Sequence, residues 1–205
     1  MATNTFIEID LREADALAGL TGIRYDLHSA RCFAQMLKGE YEATQRNGDL
    51  VDALTSAILV RYSRPFVTGV RARLTDEALN VLSDPQRQKH DRLRAYRDKH
   101  VAHSVNEFEE NQPVARYWVE RVQEEGITSV ECIHTRVVGL SLDDIEDVIE
   151  LATEMIAYVD ECLAREKTMV LEAVRAMPVE EVLGKAIKEP AAPDLGKIDR
   201  SRGRP

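Results

Sequence analysis

The chain has 205 residues, 44% hydrophobic and 31% charged, a composition that can close a real core and excludes a disordered chain. A formal net charge of −9 excludes a protein that coats a polyanion by bulk attraction. No run approaches the ~20 continuous apolar residues of a membrane helix, no basic-then-apolar leader opens the sequence, and Cys32, Cys132 and Cys162 stand too far apart for a disulfide framework or a zinc set, so the expected setting is cytoplasmic, with no membrane, metal or cofactor.

Aliphatic and acidic residues dominate and aromatics are only 5%, which favours helix. "LREADALAGL" predicts a short helix ended by Gly19 and Gly22. From Ile23 to Arg46, Leu27, Ala30, Ala34, Leu37 and Tyr41 recur at three- and four-residue steps and predict a long helix. "RNGD" breaks it, and Asp49 is the expected cap of a helix over 50–61 whose buried stripe is Leu50, Leu54, Ile58 and Tyr62. Arg64–Pro65 stops that helix, because the residue before proline disfavours the helical region. "LTDEALNVLSD" predicts one short helix. Asp84 as cap and Pro85 at the first helical position then open a helix of about five turns to Ser104.

The next region changes character. In "SVECIHTRVVG" every second residue from Val130 to Val138 falls on one side, the alternation of a strand, and "PVARYWVERV" can pair with it across "QEEGIT". The expectation is a β-hairpin over about 113–139, with Trp118 anchoring it on the bundle; a helix over 113–124 is the rival reading. Ser141 and Asp144, three apart, then open a long amphipathic helix carrying Leu142, Ile145, Val148 or Ile149, Ala152, Ile156, Val159 and Leu163. One domain over 1–177 and a mobile Pro-, Gly- and Arg-rich tail over 178–205 follow, with Lys197, Arg200, Arg202 and Arg204 as solvated charges. The sum is a mainly α-helical bundle of about four main helices with a small hairpin insertion.

Charge is uneven. From Arg61 to His103 ten Lys/Arg face five acids, so this middle carries +5 and the remainder −14. The pattern points to a local anion site in an acidic chain. Its densest part is "LRAYRDKHVAHSV", Leu93 to Val105. Tyr96, Lys99, His100 and His103 fall on one strip of a helix, and Leu93, Arg97, Val101 and Ser104 on the adjacent one. So few large apolar residues leave its polar strip facing water or a cleft. The plain alternative is a solvated face whose cations favour the C-terminal end of the helix dipole. His100 and His103 are three apart, but no H-E-x-x-H pattern or nearby cysteine supports a metal.

"YRDKHVAH" resembles the arginine–histidine signature of the HEPN superfamily, with Arg97, Asp98 and His103 at the motif positions. "RYSRPF" at Arg61 to Phe66 and the "HTRV" strand at His134 to Val137 are similar to its abortive-infection U-type branch; the likeness covers roughly residues 20–165. His100, lying between the motif residues, departs from the pattern, and either imidazole can be the functional one. The resemblance implies a HEPN-like helical bundle and a metal-independent endoribonuclease, a toxin or phage-defence effector paired with an antitoxin protein. It also implies that Arg97 stabilises charge, His103 acts as base or acid and Asp98 orients the arginine. His100, Lys99 and Arg94 would hold RNA, with Tyr62 and Arg64 lining the same cleft. A non-catalytic HEPN-like module that binds RNA or a nucleotide, or serves as a scaffold, is the alternative. Arg97 and His103, six apart, lie about 240° apart round a straight helix. Either the helix is distorted or two copies of the motif face each other across a two-fold axis; the resemblance implies the second, a homodimer whose two protomers share one cleft.

Overall fold

The structure is a computed structural model that describes residues 6–7, 9, 11–67, 73–100, 109–136, 139–184 and 186–187, with only the backbone for His100, Glu109, Arg136, Ala186 and Ile187. The described part is mainly helical. In chain order it holds β1 (Phe6–Ile7), α1 (Ala14–Glu42), α2 (Gly48–Ser63), α3 (Asp84–His100), β2 (Glu109–Arg116), α4 (Val122–Glu125), β3 (Ser129–Arg136), α5 (Leu142–Arg175), α6 (Val179–Gly184) and β4 (Ala186–Ile187). Short 3-10 turns occupy Arg64–Phe66, Asp76–Val81 and Val119–Arg121. The described residues thus form seven continuous helical stretches where about four were expected: four long helices, plus Asp76–Val81, Val119–Glu125 and α6. Of the rival helix over 113–124 only the part from Val119 is helical, within the loop of the hairpin, while 113–116 belong to β2.

Two compact units make up the chain. The first comprises Met1–His28, Arg64–Val81 and Thr153–Pro205. Its buried residues include Ile23 and Leu27 of α1, Phe66, Leu74, Ala78, and Met155, Val159 and Leu163 of α5. The glycines expected to end a first helix lie inside α1 instead. A mid-helix glycine costs only about 1 kcal/mol, and the buried apolar residues that follow offset it. Arg24 of α1 meets Asp160 of α5 at 2.5 Å, and Asp26, 5% exposed, is held 3.3 Å from Arg64. β1 pairs antiparallel with β4, so the segment placed in a tail from 178 holds both α6 and β4; the residues beyond 187 lie outside the described ones.

The second unit comprises Ser29–Ser63 and Leu82–Ala152. Its core is Ala30, Ala34 and Leu37, then Val51, Leu54, Ile58, Leu59 and Tyr62, then Leu93, and Ile145, Val148 and Leu151. Helix α2 is capped by Asn47, whose Oδ1 accepts from the N–H groups of Asp49 and Leu50, rather than by Asp49. That start turns the stripe to Val51, and Leu50 is exposed. Helix α3 is capped one residue earlier than the sequence suggested. Ser83 N–H donates to Gln86 Oε1 at 2.9 Å, and Arg87 N–H donates to Ser83 O, the start of a capping box. At α5 the expected capping box is present: Asp144 N–H donates to Ser141 Oγ at 3.1 Å and Ser141 N–H donates to Asp144 Oδ2 at 3.2 Å.

The hairpin is the other part of this unit. β2 pairs antiparallel with β3 in unbroken register from Glu109↔Arg136 to Arg116↔Ser129. None of its described side chains is buried. Trp118, expected to anchor it on the bundle, is 59% exposed, a correction whose reason is that the chain turns out into the 3-10 turn Val119–Arg121 directly after it.

Candidate functional site

Helix α3 carries five of the eight expected site residues, and its wheel sorts them. With each residue turning ~100°, His90, Leu93 and Arg97 fall on one inward stripe. Lys89 and Arg92 fall on the side that meets α5. Arg94 lies next to the inward stripe, and Lys99 lies opposite it. Burial follows the wheel: His90 and Leu93 are each 1% exposed, while Lys99 and Asp98 are open to solvent.

The α5-facing side is consumed by the fold. Lys89 Nζ lies 2.8 Å from Asp147 and 3.0 Å from Glu150. Arg92 is bonded to Asp144 and stands 3.4 Å from Asp147, and Gln86 Nε2 donates to Glu150 at 2.8 Å. Lys89 and Gln86 together hold the Glu150 carboxyl below its ordinary range. Two cations of the basic middle therefore tie α3 to the first turns of α5.

The inward stripe holds a group that the sequence reading passed over. His90 Nδ1 lies 2.9 Å from the Tyr62 hydroxyl, the two rings meeting edge to face with centroids 5.7 Å apart. Burial, and secondarily the nearby Arg94 charge, lower His90 to about 4, against a smaller opposing pull from Asp91. The ring is neutral at pH 7 and shares one hydrogen bond with the Tyr62 hydroxyl. Burial pushes the Tyr62 hydroxyl up, out of its ordinary range, so it stays protonated. The signal available in the sequence was spacing: His90 stands three residues before Leu93 on the same stripe.

Arg97 is the third member of that stripe and is only one-third exposed. Its Nη1 donates to Asp98 Oδ1 at 2.9 Å. The motif arginine and the polar residue after it are thus in contact, in the last turn of α3. His100 is the final residue of α3; His103 lies outside the described residues. Tyr62 is fully buried, so it meets α3 through His90 and lines no open surface. Arg64 belongs to the first unit, where it pairs with buried Asp26. His134 sits exposed on β3 and bonds Asn111 across the strand pair at 2.8 Å. Among the described residues no group of three or more His, Cys, Asp or Glu side chains is arranged to hold a metal, and no helix is long and apolar enough to cross a membrane.

No family model matches this chain, and neither a curated protein nor a solved structure matches it.

Proposed function

We propose that this chain is a metal-independent endoribonuclease of HEPN type that works as a homodimer, a toxin or phage-defence effector held in check by an antitoxin protein. The observation that supports it most is the state of Arg97: on the inward stripe of α3, sheltered but reachable, with one nitrogen fixed on Asp98. A guanidinium held on one edge offers its remaining donors to phosphoryl oxygens in a set geometry.

The chemistry needs few parts. RNA brings its own nucleophile, the 2′-hydroxyl. A base removes that proton, O2′ attacks phosphorus, and the P–O5′ bond breaks as an acid protonates the leaving oxygen. The products are a 2′,3′-cyclic phosphate and a 5′-hydroxyl. His103 moves the protons, since an imidazole near pKa ~6.5 serves both directions at neutral pH. Arg97 stabilises the phosphorane, and Asp98 orients Arg97. His100, Lys99 and Arg94 hold the strand. The wide angle between Arg97 and His103 on a straight helix supports a cleft supplied by two protomers.

The test is RNA cleavage in EDTA. Wild type gives cyclic-phosphate ends. Arg97→Ala and His103→Ala each lose about 10²- to 10³-fold in rate while keeping their circular dichroism. His100→Ala, run alongside, assigns the functional imidazole. A wild type that never cuts, with no difference among the variants in binding, would replace this reading with a non-catalytic binding or scaffold module.

A further inference from the structure

We infer that the β2–β3 hairpin is a dimerisation arm, and that the face carrying Pro113, Ala115, Val130 and Cys132 packs against the same face of a second copy of this chain.

The hairpin has a complete eight-by-eight register, yet none of its described side chains is buried. A two-stranded hairpin with no packed face is marginal in water. Val130 is 75% exposed, and Trp118 and Val119, which follow β2, are 59% and 73% exposed. Exposed apolar side chains concentrated in this way mark an interaction surface.

The register shows which face. Directly opposite residues share a face and neighbours along a strand alternate. One face therefore carries Glu110, Gln112, Val114 and Arg116 against Thr135, Ile133, Glu131 and Ser129, with Arg116 bonded to Glu131 at 3.0 Å. The other carries Asn111, Pro113 and Ala115 against His134, Cys132 and Val130. From 111 to 134 this second face has no Asp, Glu, Lys or Arg, in a chain that is 31% charged.

Charge then selects the occupant. A two-fold interface sets a patch against its own copy, so a patch with a net charge meets that same net charge. A chain of net charge −9 self-associates through a patch that is neutral or self-matched, and the Pro113–Cys132 face is neutral where its opposite is not. The small side chains of Ala115, Cys132 and Pro113 let two backbones approach closely. RNA fits this face poorly, because it offers no cation to a phosphate. Six described side chains per protomer make an interface well below the ~800 Å² per partner of a standard complex, so the dimer is weak and concentration-dependent. The inference rests on the two-protomer part of the ribonuclease reading and supplies its surface.

Val130→Glu and Val130→Lys each place like charges together and shift wild-type dimers to monomers in sedimentation. Mixing the two variants restores a heterodimer. Ile133→Glu, on the opposite face, leaves the dimer intact. A short bis-maleimide links two wild-type chains but not two Cys132→Ser chains. Trp118, the single tryptophan, reports retained folding and any RNA contact by its fluorescence. A wild type monomeric at every concentration sedimented, or Val130 variants that stay dimeric, or equal sensitivity at Ile133, would overturn the inference; so would Trp118 quenching by single-stranded RNA that Val130→Glu abolishes without changing the oligomer. Cleavage is scored separately. A monomeric Val130→Glu that still cuts at the wild-type rate per chain keeps the arm and removes the shared cleft, whereas a dimeric Val130→Glu removes the arm and leaves Arg97 and His103 to their own test.

Discussion

The hydroxyl of Tyr62 and Nδ1 of His90 lie 2.9 Å apart in the core of the second unit, joining the last turn of α2 to the first half of α3. This bond sets the inward stripe on which Arg97 stands two turns later. Replacing Tyr62 by Phe leaves a buried imidazole nitrogen without that partner, and such orphaning costs about 1–3 kcal/mol. Chemical denaturation of Tyr62→Phe is the measurement, and a loss below a few tenths would show that the bond contributes nothing net.

The same pair predicts a pH dependence with a definite sign. His90 titrates at about 4 in the folded chain against 6.5 ordinarily. Above pH 6.5 both states keep the ring neutral and nothing is lost. Between 6.5 and 4 the unfolded chain takes up a proton that the folded one refuses, so stability falls as pH falls. Below 4 the loss is complete, on the order of 3 kcal/mol. Urea unfolding from pH 4 to 8 should show this slope, flattened in His90→Gln. An unchanged slope in that variant would assign the acid sensitivity to other groups.

Asp144 serves two neighbours at once, the Ser141 cap and the Arg92 guanidinium, while only 4% exposed. Asp144→Ala is expected to cost about 2–3 kcal/mol and Ser141→Ala about 1 kcal/mol, since the second removes only the cap. A double-mutant cycle between Asp144 and Arg92 gives the coupling; additive losses would show that their contact is incidental. Arg24–Asp160, with both side chains nearly half exposed, is the contrasting case. Losing it costs under about 1 kcal/mol and the difference fades in salt.

Gly139 has φ +93°, and a Cβ there would stand 2.6 Å from the Tyr41 hydroxyl and 2.9 Å from Val51 Cγ1. That hydroxyl donates to Leu140 O at 2.8 Å, so it has little room to yield. Gly139→Ala combines left-handed strain with a clash and should cost on the order of 2 kcal/mol or more. The melting temperature checks it against Gly39→Ala, where nothing crowds the added methyl.

In the ribonuclease reading Arg97 acts as a fork held by Asp98. Arg97→Lys keeps the charge and loses the fork, so its rate should fall about 10²-fold, nearly as far as Arg97→Ala. Asp98→Asn should lose about ten-fold or less, because it loosens the fork without removing it. A lysine variant with full activity would mean that charge alone suffices at this position.

Local pattern in the sequence was enough for the four long helices, apart from the start of α1, and for the Ser141–Asp144 box and the antiparallel hairpin. Each depends on residues within a few positions of one another, where periodicity and capping chemistry act directly. Which cations of α3 pair with α5 was settled only in three dimensions. Lys89 and Arg92 are taken by Asp144, Asp147 and Glu150, more than fifty positions along the chain. Likewise His90 reads as one more polar residue until Tyr62, 28 positions earlier, closes over it, and Trp118 reads as an anchor until the hairpin turns it outward. An amphipathic pattern states that a face will be covered; which distant side chain covers it depends on how the helices pack, and no local spacing encodes that.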